Sequence, residues 1–176
     1  MRTPVVLDTT GDQLLALGAL LSRSGKTIES EISGSSMGNT LPSGCHIRIR
    51  PLPVEEYQAG QVVAFVAGGS LFAHRIVYRS GQSVLTRGDN HSWCDLPLRT
   101  GAIIGVVSEY LAEGEWRLFD GSAPFEHELG KRRRLLEFLL RACLRIDIRL
   151  AQRASRMLML LARWRRNMFQ PGEPAK

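Results

Sequence analysis

The middle of the chain is a series of short runs in which apolar residues alternate with polar ones or stand together, separated by Gly and Pro. In residues 45–50, Ile47 and Ile49 alternate with polar neighbours, and residues 60–66 contain an uninterrupted apolar run. Short runs of this kind between turn residues predict β-strands. Further strands are predicted over residues 27–33, 71–78, 83–86, 103–109 and 116–119. Together they predict a mainly β protein with a coiled, mainly antiparallel fold.

Helical patterns flank this β region. Leucines at helical spacing within residues 1–26 predict a short N-terminal helix. Residues 131–170 contain no Gly or Pro, and their arginines fall on one side of a helix with apolar residues opposite. This pattern predicts a long basic amphipathic C-terminal helix, or two helices in phase. Asp147 interrupts the apolar face, and the pattern gives it no role.

The changes of pattern divide the chain into a single domain with appended segments. We predict an N-terminal helix region at residues 1–26, a β domain at 27–119, a linker at 120–130, the basic helix at 131–170 and a disordered tail at 171–176.

Charge is distributed unevenly between these parts. Residues 1–130 hold 10 basic and 14 acidic residues, whereas residues 131–176 hold 13 basic and 3 acidic ones. A cationic amphipathic helix can lie on an anionic membrane surface, or it can dock on the β domain, on a partner protein or on a second copy. The candidate contacts for a membrane or a partner are Arg141, Arg145, Arg149 and Arg153. Because a basic stripe alone supports nucleic-acid binding only weakly, no nucleic-acid partner is predicted.

Other features exclude several classes of protein. The sequence has no run of about 18 uncharged apolar residues, which a spanning helix requires, and no basic start followed by an apolar core, which marks a secretory leader. Three cysteines without paired spacing argue for a reducing compartment. We therefore expect a cytoplasmic protein, at the inner membrane face if the basic helix binds lipid. The pairs His91–Cys94 and Cys45–His46 lack the usual spacing of zinc sites, so neither a metal nor another cofactor is predicted.

Residues 31–41 are the first candidate for chemistry. They hold three serines and two glycines, and a run so small and polar cannot form core. The glycines permit the tight backbone that a reactive loop needs. Ser36 is the candidate nucleophile, although a serine hydroxyl is inert at neutral pH until a neighbouring base accepts its proton. A turn serine that caps a helix is the alternative interpretation.

Two later segments supply a base and a carboxylate. His74 lies on a strand face shared with Phe72 and Ile76, where an imidazole requires a polar partner. Neutral imidazole is available as a base at physiological pH. Asp89 and Asp95 follow the next predicted strand, and either carboxylate could orient that imidazole by accepting its N–H. An ordinary turn aspartate is the alternative interpretation of Asp89.

The order of these segments resembles the signal peptidase clan of serine proteases. The three motifs read SGSSMGNTL, AHRIV and TRGDN, and the resemblance covers roughly residues 31–107. It implies the coiled β fold of that clan and serine endopeptidase activity. Ser36 directly precedes Met37, as the clan's nucleophile precedes its methionine. His74 stands where the archaeal and endoplasmic-reticulum branch has its base.

The resemblance also ranks the remaining candidates. Histidine-type members have the catalytic aspartate six residues past the Gly-Asp aspartate, and that position is Asp95 here, with Asp89 in second place. The Ser36 backbone N–H is one expected oxyanion donor. Some bacterial members add a serine two residues before the nucleophile, where this chain has glycine, so Ser35 and Ser33 are the candidates for a supporting donor. The chain also departs from the clan by having no membrane anchor near the serine and no proline after Met-Gly.

These observations predict a serine endopeptidase resembling signal peptidase, with Ser36, His74 and Asp95 as catalytic residues. Without an anchor, it would cleave a dedicated precursor or leader peptide. Two alternatives stay open. One is a non-catalytic module of the same fold that binds a peptide or a membrane partner. The other is a self-cleaving regulator of the related repressor clan, which uses a lysine base and usually a DNA-binding domain, neither of them visible here.

Overall fold

The computed structural model of the protein describes residues 16, 20, 26–67, 70–121 and 131–168. Most of the predicted N-terminal helix region, most of the predicted linker and all of the predicted disordered tail therefore lie outside the described residues.

The described residues contain one antiparallel sheet of eight strands, as the alternating pattern predicts. The strands are β1 (Ile28–Glu31), β2 (His46–Arg50), β3 (Val62–Ala67), β4 (Ser70–Ser80), β5 (Ser83–Arg87), β6 (Leu98–Arg99), β7 (Ile103–Ala112) and β8 (Glu115–Leu118). Their order across the sheet is β1-β2-β7-β3-β4-β5-β6, and β8 pairs with β7. Short 3-10 turns at Val54–Glu56 and Thr100–Ala102 precede β3 and β7.

Irregular pairing bends this sheet. The register shifts between Arg48 and Ile49 in β2, within β3 after Ala64, and in β4 after Ile76. Such bulges bend a strand and increase its twist. The shifts lie in β2, β3 and β4, so the bending is spread over several strands of the sheet.

The central strand β3 buries both of its faces. Val62 and Ala64 pack in one apolar cluster, and Val63 and Phe65 pack in another. This explains why the sequence of β3 is continuously apolar instead of alternating. Met37, next to the candidate nucleophile, is a buried member of the first cluster and anchors the serine segment to the sheet.

The C-terminal region forms two helices, α1 (Lys131–Ile146) and α2 (Ile148–Met168), so a pair of helices is found where the sequence left one helix or two open. Asp147 separates them. Its Oδ1 accepts hydrogen bonds from the backbone N–H groups of Arg149 (2.6 Å) and Leu150 (3.3 Å), which is the geometry of a helix N-cap. The aspartate without a role in the periodic pattern therefore begins α2.

The two helices pack on the β4–β5 part of the sheet. Leu85 of β5 forms a buried cluster with Leu140, Leu144 and Ala151. A buried ion pair joins Arg87 of β5 to Glu137 of α1, with 2.9 Å between Nη1 and Oε2. Among the described helices, none combines the length and the apolar character needed to cross a membrane.

Candidate active site

A buried histidine and an aspartate form the centre of the candidate site. His74 of β4 is 3 % exposed, and its Nδ1 lies 2.7 Å from Oδ2 of Asp95. The imidazole ring packs against Phe65 and Phe72, with ring centroids 5.8 and 5.9 Å away. A carboxylate accepts from Nδ1 only when that nitrogen carries a hydrogen, so the contact leaves Nε2 as the acceptor. This is the arrangement that a histidine base requires.

Thr86 of β5 fixes the aspartate in place. The Asp95 backbone N–H donates to the Thr86 carbonyl (2.8 Å), and the Thr86 hydroxyl donates to Asp95 Oδ2 (2.8 Å). Thr86 is fully buried. The same carboxylate oxygen therefore accepts from a rigid strand and from the imidazole, which orients both groups. The sequence pattern gave no sign of this threonine, because its function depends on a loop that folds back onto its strand.

The second candidate aspartate, Asp89, serves a different partner. Its carboxylate binds the buried Arg75 guanidinium through two contacts, Nε to Oδ1 at 2.8 Å and Nη2 to Oδ2 at 2.6 Å. Arg75 also donates to the carbonyls of Gly60 (2.7 Å) and Gly121. Asp89 therefore holds the turn after β5, while Asp95 contacts the histidine.

The serine segment rests on that turn. The Ser36 carbonyl accepts from the Asn90 N–H (2.8 Å), and the Ser35 carbonyl accepts from the Asn90 side-chain amide (3.1 Å). A Cβ added at Gly88 would lie 2.5 Å from the Ser36 carbonyl oxygen and 3.0 Å from Ser36 Cβ. Glycine is therefore required at position 88 for the serine backbone to approach this closely.

This packing brings Ser36 to the strand pair that carries His74. Arg75 of β4 pairs with Arg87 at the end of β5. His74 precedes Arg75 on β4, and Gly88 follows Arg87 just past the end of β5. Ser36 contacts position 88 directly. The His74 Nε2 atom is buried and has no hydrogen-bond partner among the described residues, so the Ser36 hydroxyl is not bonded to it. The structure thus joins His74 to Asp95 and places the serine segment alongside, without a Ser36–His74 hydrogen bond.

The supporting serines lie at the surface. Ser33 and Ser35 are both exposed, and the contacts of Ser35 with Asn90 and Gly38 run through its carbonyl oxygen. Gly34, between them, donates its N–H to the Ser43 hydroxyl at 3.2 Å. Neither serine is hydrogen-bonded to the His74–Asp95 pair in the part of the chain that the structure describes.

A second histidine, His91, borders the site. Its ring meets the His74 ring edge to face, with 5.6 Å between centroids, and its backbone N–H donates to the Gly88 carbonyl at 2.9 Å. His91 is exposed. The sequence draws attention to this residue only as a neighbour of Cys94, since the turn that brings it over β4 has no local signature.

Two of the cysteines are partly buried near the site and the sheet, at positions 94 and 45. Burial, with the Glu137 carboxylate nearby, raises the pKa of Cys94 to about 12. Burial also raises the pKa of Cys45. A thiolate is the nucleophilic and metal-binding form of cysteine, so burial disfavours the reactive form of both side chains. Cys94 packs against the apolar cluster between β5 and the helices.

The helix pair presents a second surface of interest. Its outer side exposes apolar residues, among them Leu135, Phe138, Leu139, Ile146, Leu150, Met157, Leu160 and Leu161. Arg145, Arg149 and Arg153 are exposed as well, and Arg145 Nε donates to the Tyr78 hydroxyl at 2.6 Å. Arg141 is half-buried and pairs with Glu137. The helices thus bury one apolar strip against the sheet and leave another, flanked by arginines, facing outwards.

No protein-family model matches the chain, and a search of the curated proteins finds no match. The chemistry of the site is therefore judged on its own geometry: a buried imidazole oriented by a carboxylate, beside a serine segment held by glycine and asparagine.

Proposed function

We propose that this protein is a serine endopeptidase with a fold of the signal-peptidase type, in which Ser36 is the nucleophile, His74 the general base and Asp95 its orienting carboxylate. The observation that carries the proposal is the 2.7 Å contact between His74 Nδ1 and Asp95 Oδ2, which leaves Nε2 as an unpartnered acceptor. The resemblance of the three sequence motifs supports the same assignment.

The chemistry follows from this arrangement. Nε2 accepts the Ser36 hydroxyl proton as the oxygen attacks the scissile carbonyl, and the imidazolium then returns the proton to the leaving amine. Asp95 stabilises the imidazolium while Thr86 holds the carboxylate. A catalytic hydrogen bond is often long before substrate binds and tightens in the complex. We therefore assign the Ser36–His74 hydrogen bond to the substrate complex.

Two further parts complete the proposed machinery. The Ser36 N–H donates to the developing oxyanion, and the Ser35 or Ser33 hydroxyl is the candidate second donor. A peptide substrate would bind as an added strand. Strand β1 ends the order of strands across the described sheet, pairing with β2, and leads directly into the serine segment. An extended precursor or leader peptide laid beside β1 would reach the nucleophile.

Cleavage of candidate precursors, followed by mass spectrometry, tests the proposal. The wild-type protein should produce defined fragments, and Ser36→Ala should produce none. Ser80→Ala, at the C-terminal end of β4 and outside the proposed site, is the matched control and should cleave as the wild type does. Equal cleavage by the wild type and Ser36→Ala would refute the assignment.

We further infer that the helix pair places the enzyme on an anionic membrane surface. Apolar side chains such as Phe138 (65 % exposed) and Ile146 (78 % exposed) stand beside exposed arginines. The two acidic residues of the helices are already engaged, Glu137 with Arg87 and Arg141, and Asp147 as a cap. On such a surface the apolar side chains can insert among acyl chains, and the arginines can bind anionic headgroups without competition from free carboxylates.

Co-sedimentation with vesicles tests this inference. Binding should be strong to vesicles containing phosphatidylglycerol, weak to pure phosphatidylcholine, and reduced by salt because surface charges are screened. Combined Arg149→Glu and Arg153→Glu substitutions should abolish it, whereas Arg99→Glu on β6 should not. Binding to neither vesicle would contradict the inference and favour a protein partner for this surface.

A non-catalytic module of the same fold is the alternative function. One observation favours it, namely that Nε2 of His74 has no hydrogen bond to Ser36. Such a module would bind a peptide without cleaving it. Reaction with a serine-directed reagent separates the two, since only an activated Ser36 forms the adduct.

A further inference from the structure

Three potential metal ligands converge at the candidate active site. His74, His91 and Asp95 each offer one ligand atom, and these atoms lie within 4.8 Å of one another. They come from two parts of the chain: His74 from strand β4, and His91 and Asp95 from the loop between β5 and β6. This explains why no sequence spacing announces them. His74 is only 3 % exposed, and its Nε2 has no hydrogen-bond partner among the described residues.

We propose that His74, His91 and Asp95 form a binding site for a transition-metal ion such as Zn²⁺, and that the bound ion switches the peptidase off. The regulatory half rests on the proposed function, whereas metal binding does not. Two imidazoles with one carboxylate suit Zn²⁺ and related transition metals, while Mg²⁺ and Ca²⁺ prefer oxygen ligands alone. Three protein ligands leave a fourth position for water.

The existing positions need only a local adjustment to bind the ion. Zn²⁺ bonds to nitrogen and oxygen are about 2.0–2.2 Å long, so tetrahedral ligand atoms lie about 3.4 Å apart. The ligand atoms lie at most 4.8 Å apart, so the widest pair must close by up to about 1.4 Å. His91 can supply this movement because it is exposed and sits on a turn.

The remaining ligands are already oriented. Thr86 donates to Asp95 Oδ2 at 2.8 Å, which is the kind of outer hydrogen bond that holds a ligating carboxylate. His74 is fixed between Phe65 and Phe72. Metal binding would thus draw the exposed His91 towards His74 and Asp95, and the ion would replace the hydrogen bond between those two residues.

The same ion would block catalysis. A metal that occupies the lone pair of His74, or that takes Asp95 away from its imidazole, removes the base that must accept the Ser36 proton. The enzyme would be inactive while Zn²⁺ is bound and active after its removal. No covalent bond of the protein is made or broken, and the metal replaces any proton on the imidazole nitrogens that bind it.

Binding is measured first, on the full chain, by titrating Zn²⁺ in competition with a chromophoric chelator. Wild type and Ser36→Ala should each bind one equivalent. His91→Ala and Asp95→Asn should each bind at least tenfold more weakly, while His46→Ala, which removes an exposed histidine of β2, should bind as the wild type does. Circular dichroism of each variant verifies its fold. Unchanged affinity in His91→Ala, or no saturable binding by the wild type, would overturn the site.

Regulation is measured separately, on precursor cleavage. Saturating Zn²⁺ should lower the wild-type rate more than tenfold, and EDTA should restore it. In His91→Ala the Zn²⁺ concentration that halves the variant's own rate should rise at least tenfold. Binding without inhibition would overturn the regulatory role and leave the metal site intact. A protein that binds Zn²⁺ through these ligands yet cleaves nothing after EDTA has removed the ion would overturn the proposed function instead, because the binding arm needs no peptidase activity.

Discussion

Gly88→Ala is the substitution that most sharply links the packing of this protein to its chemistry. The added Cβ would lie 2.5 Å from the Ser36 carbonyl oxygen, 3.1 Å from its carbonyl carbon and 3.0 Å from Ser36 Cβ. Two of these atoms belong to the backbone, so no rotamer change relieves the clash. Because non-bonded heavy atoms settle about 3.5 Å apart, the serine segment must retreat by about 1 Å.

That retreat has two expected consequences. Overpacking of this kind costs about 1–3 kcal/mol in the free energy of unfolding, and the hydrogen bond from Asn90 N–H to the Ser36 carbonyl, 2.8 Å in the native protein, is strained or lost. A misplacement of about 1 Å at a reacting group costs about 100-fold in rate. We therefore expect Gly88→Ala to fold with reduced stability and to lose most of its peptidase activity.

Urea unfolding gives the stability, and the rate of precursor cleavage gives the activity. Gly101→Ala is the matched control, since a Cβ there meets nothing within 4 Å, and it should lose neither stability nor rate. A Gly88→Ala protein with wild-type rate and wild-type stability would refute the placement of Ser36 against β5.

Three further outcomes follow from individual contacts. Asp95→Asn should lower kcat by about 10³–10⁴-fold, as loss of the orienting carboxylate does in a serine triad, with the fold retained by circular dichroism. Glu137→Ala removes the carboxylate that faces the buried Arg87, and urea unfolding should show a loss of about 3 kcal/mol. Burial raises the pKa of Cys94 from 9.0 to about 12, so the unfolded chain releases that proton first. The contribution of Cys94 to the free energy of unfolding should therefore be fully present below pH 9 and be lost as the pH rises towards 12. The free energy of unfolding should fall less steeply with pH in Cys94→Ala than in the wild type. Parallel pH profiles of the two proteins would contradict this.

Local signals predict most of the sheet. Apolar runs between glycines and prolines mark β2, β3, β4, β5 and β7, because alternation and turn residues act within a few positions. The two-residue strand β6 carries no periodic signal, and it forms only because β5 is there to pair with it. The order of strands, with β7 between β2 and β3, depends on contacts between distant segments that no local pattern encodes.

The choice between the two aspartates shows where sequence reasoning about the site ends. Consecutive residues of a strand point to opposite faces, so His74 and Arg75 of β4 require partners on different sides. Asp95 goes to the histidine and Asp89 to the arginine. The loop contains both carboxylates, and nothing in its residues alone decides which one reaches which face. The fold decides it, through the contacts of Thr86 with Asp95.

The helices show the same limit. The pattern predicts an amphipathic, basic segment, but it assigns Leu139, Ile146 and Leu150 to the apolar face, and the structure leaves all three exposed. The break at Asp147 lets the sheet cover only one strip of each helix. Buried Glu137 has no signature in the sequence, because its burial depends on Arg87.

Mass-spectrometric mapping after treatment with a serine-directed fluorophosphonate tests the central claim most directly. The reagent reports an activated hydroxyl without requiring the natural substrate. We expect a single adduct on Ser36 in the wild-type protein, abolished in His74→Ala and strongly slowed in Asp95→Asn. A wild-type protein with no adduct on Ser36, or one whose adduct forms equally fast without His74, would contradict the account.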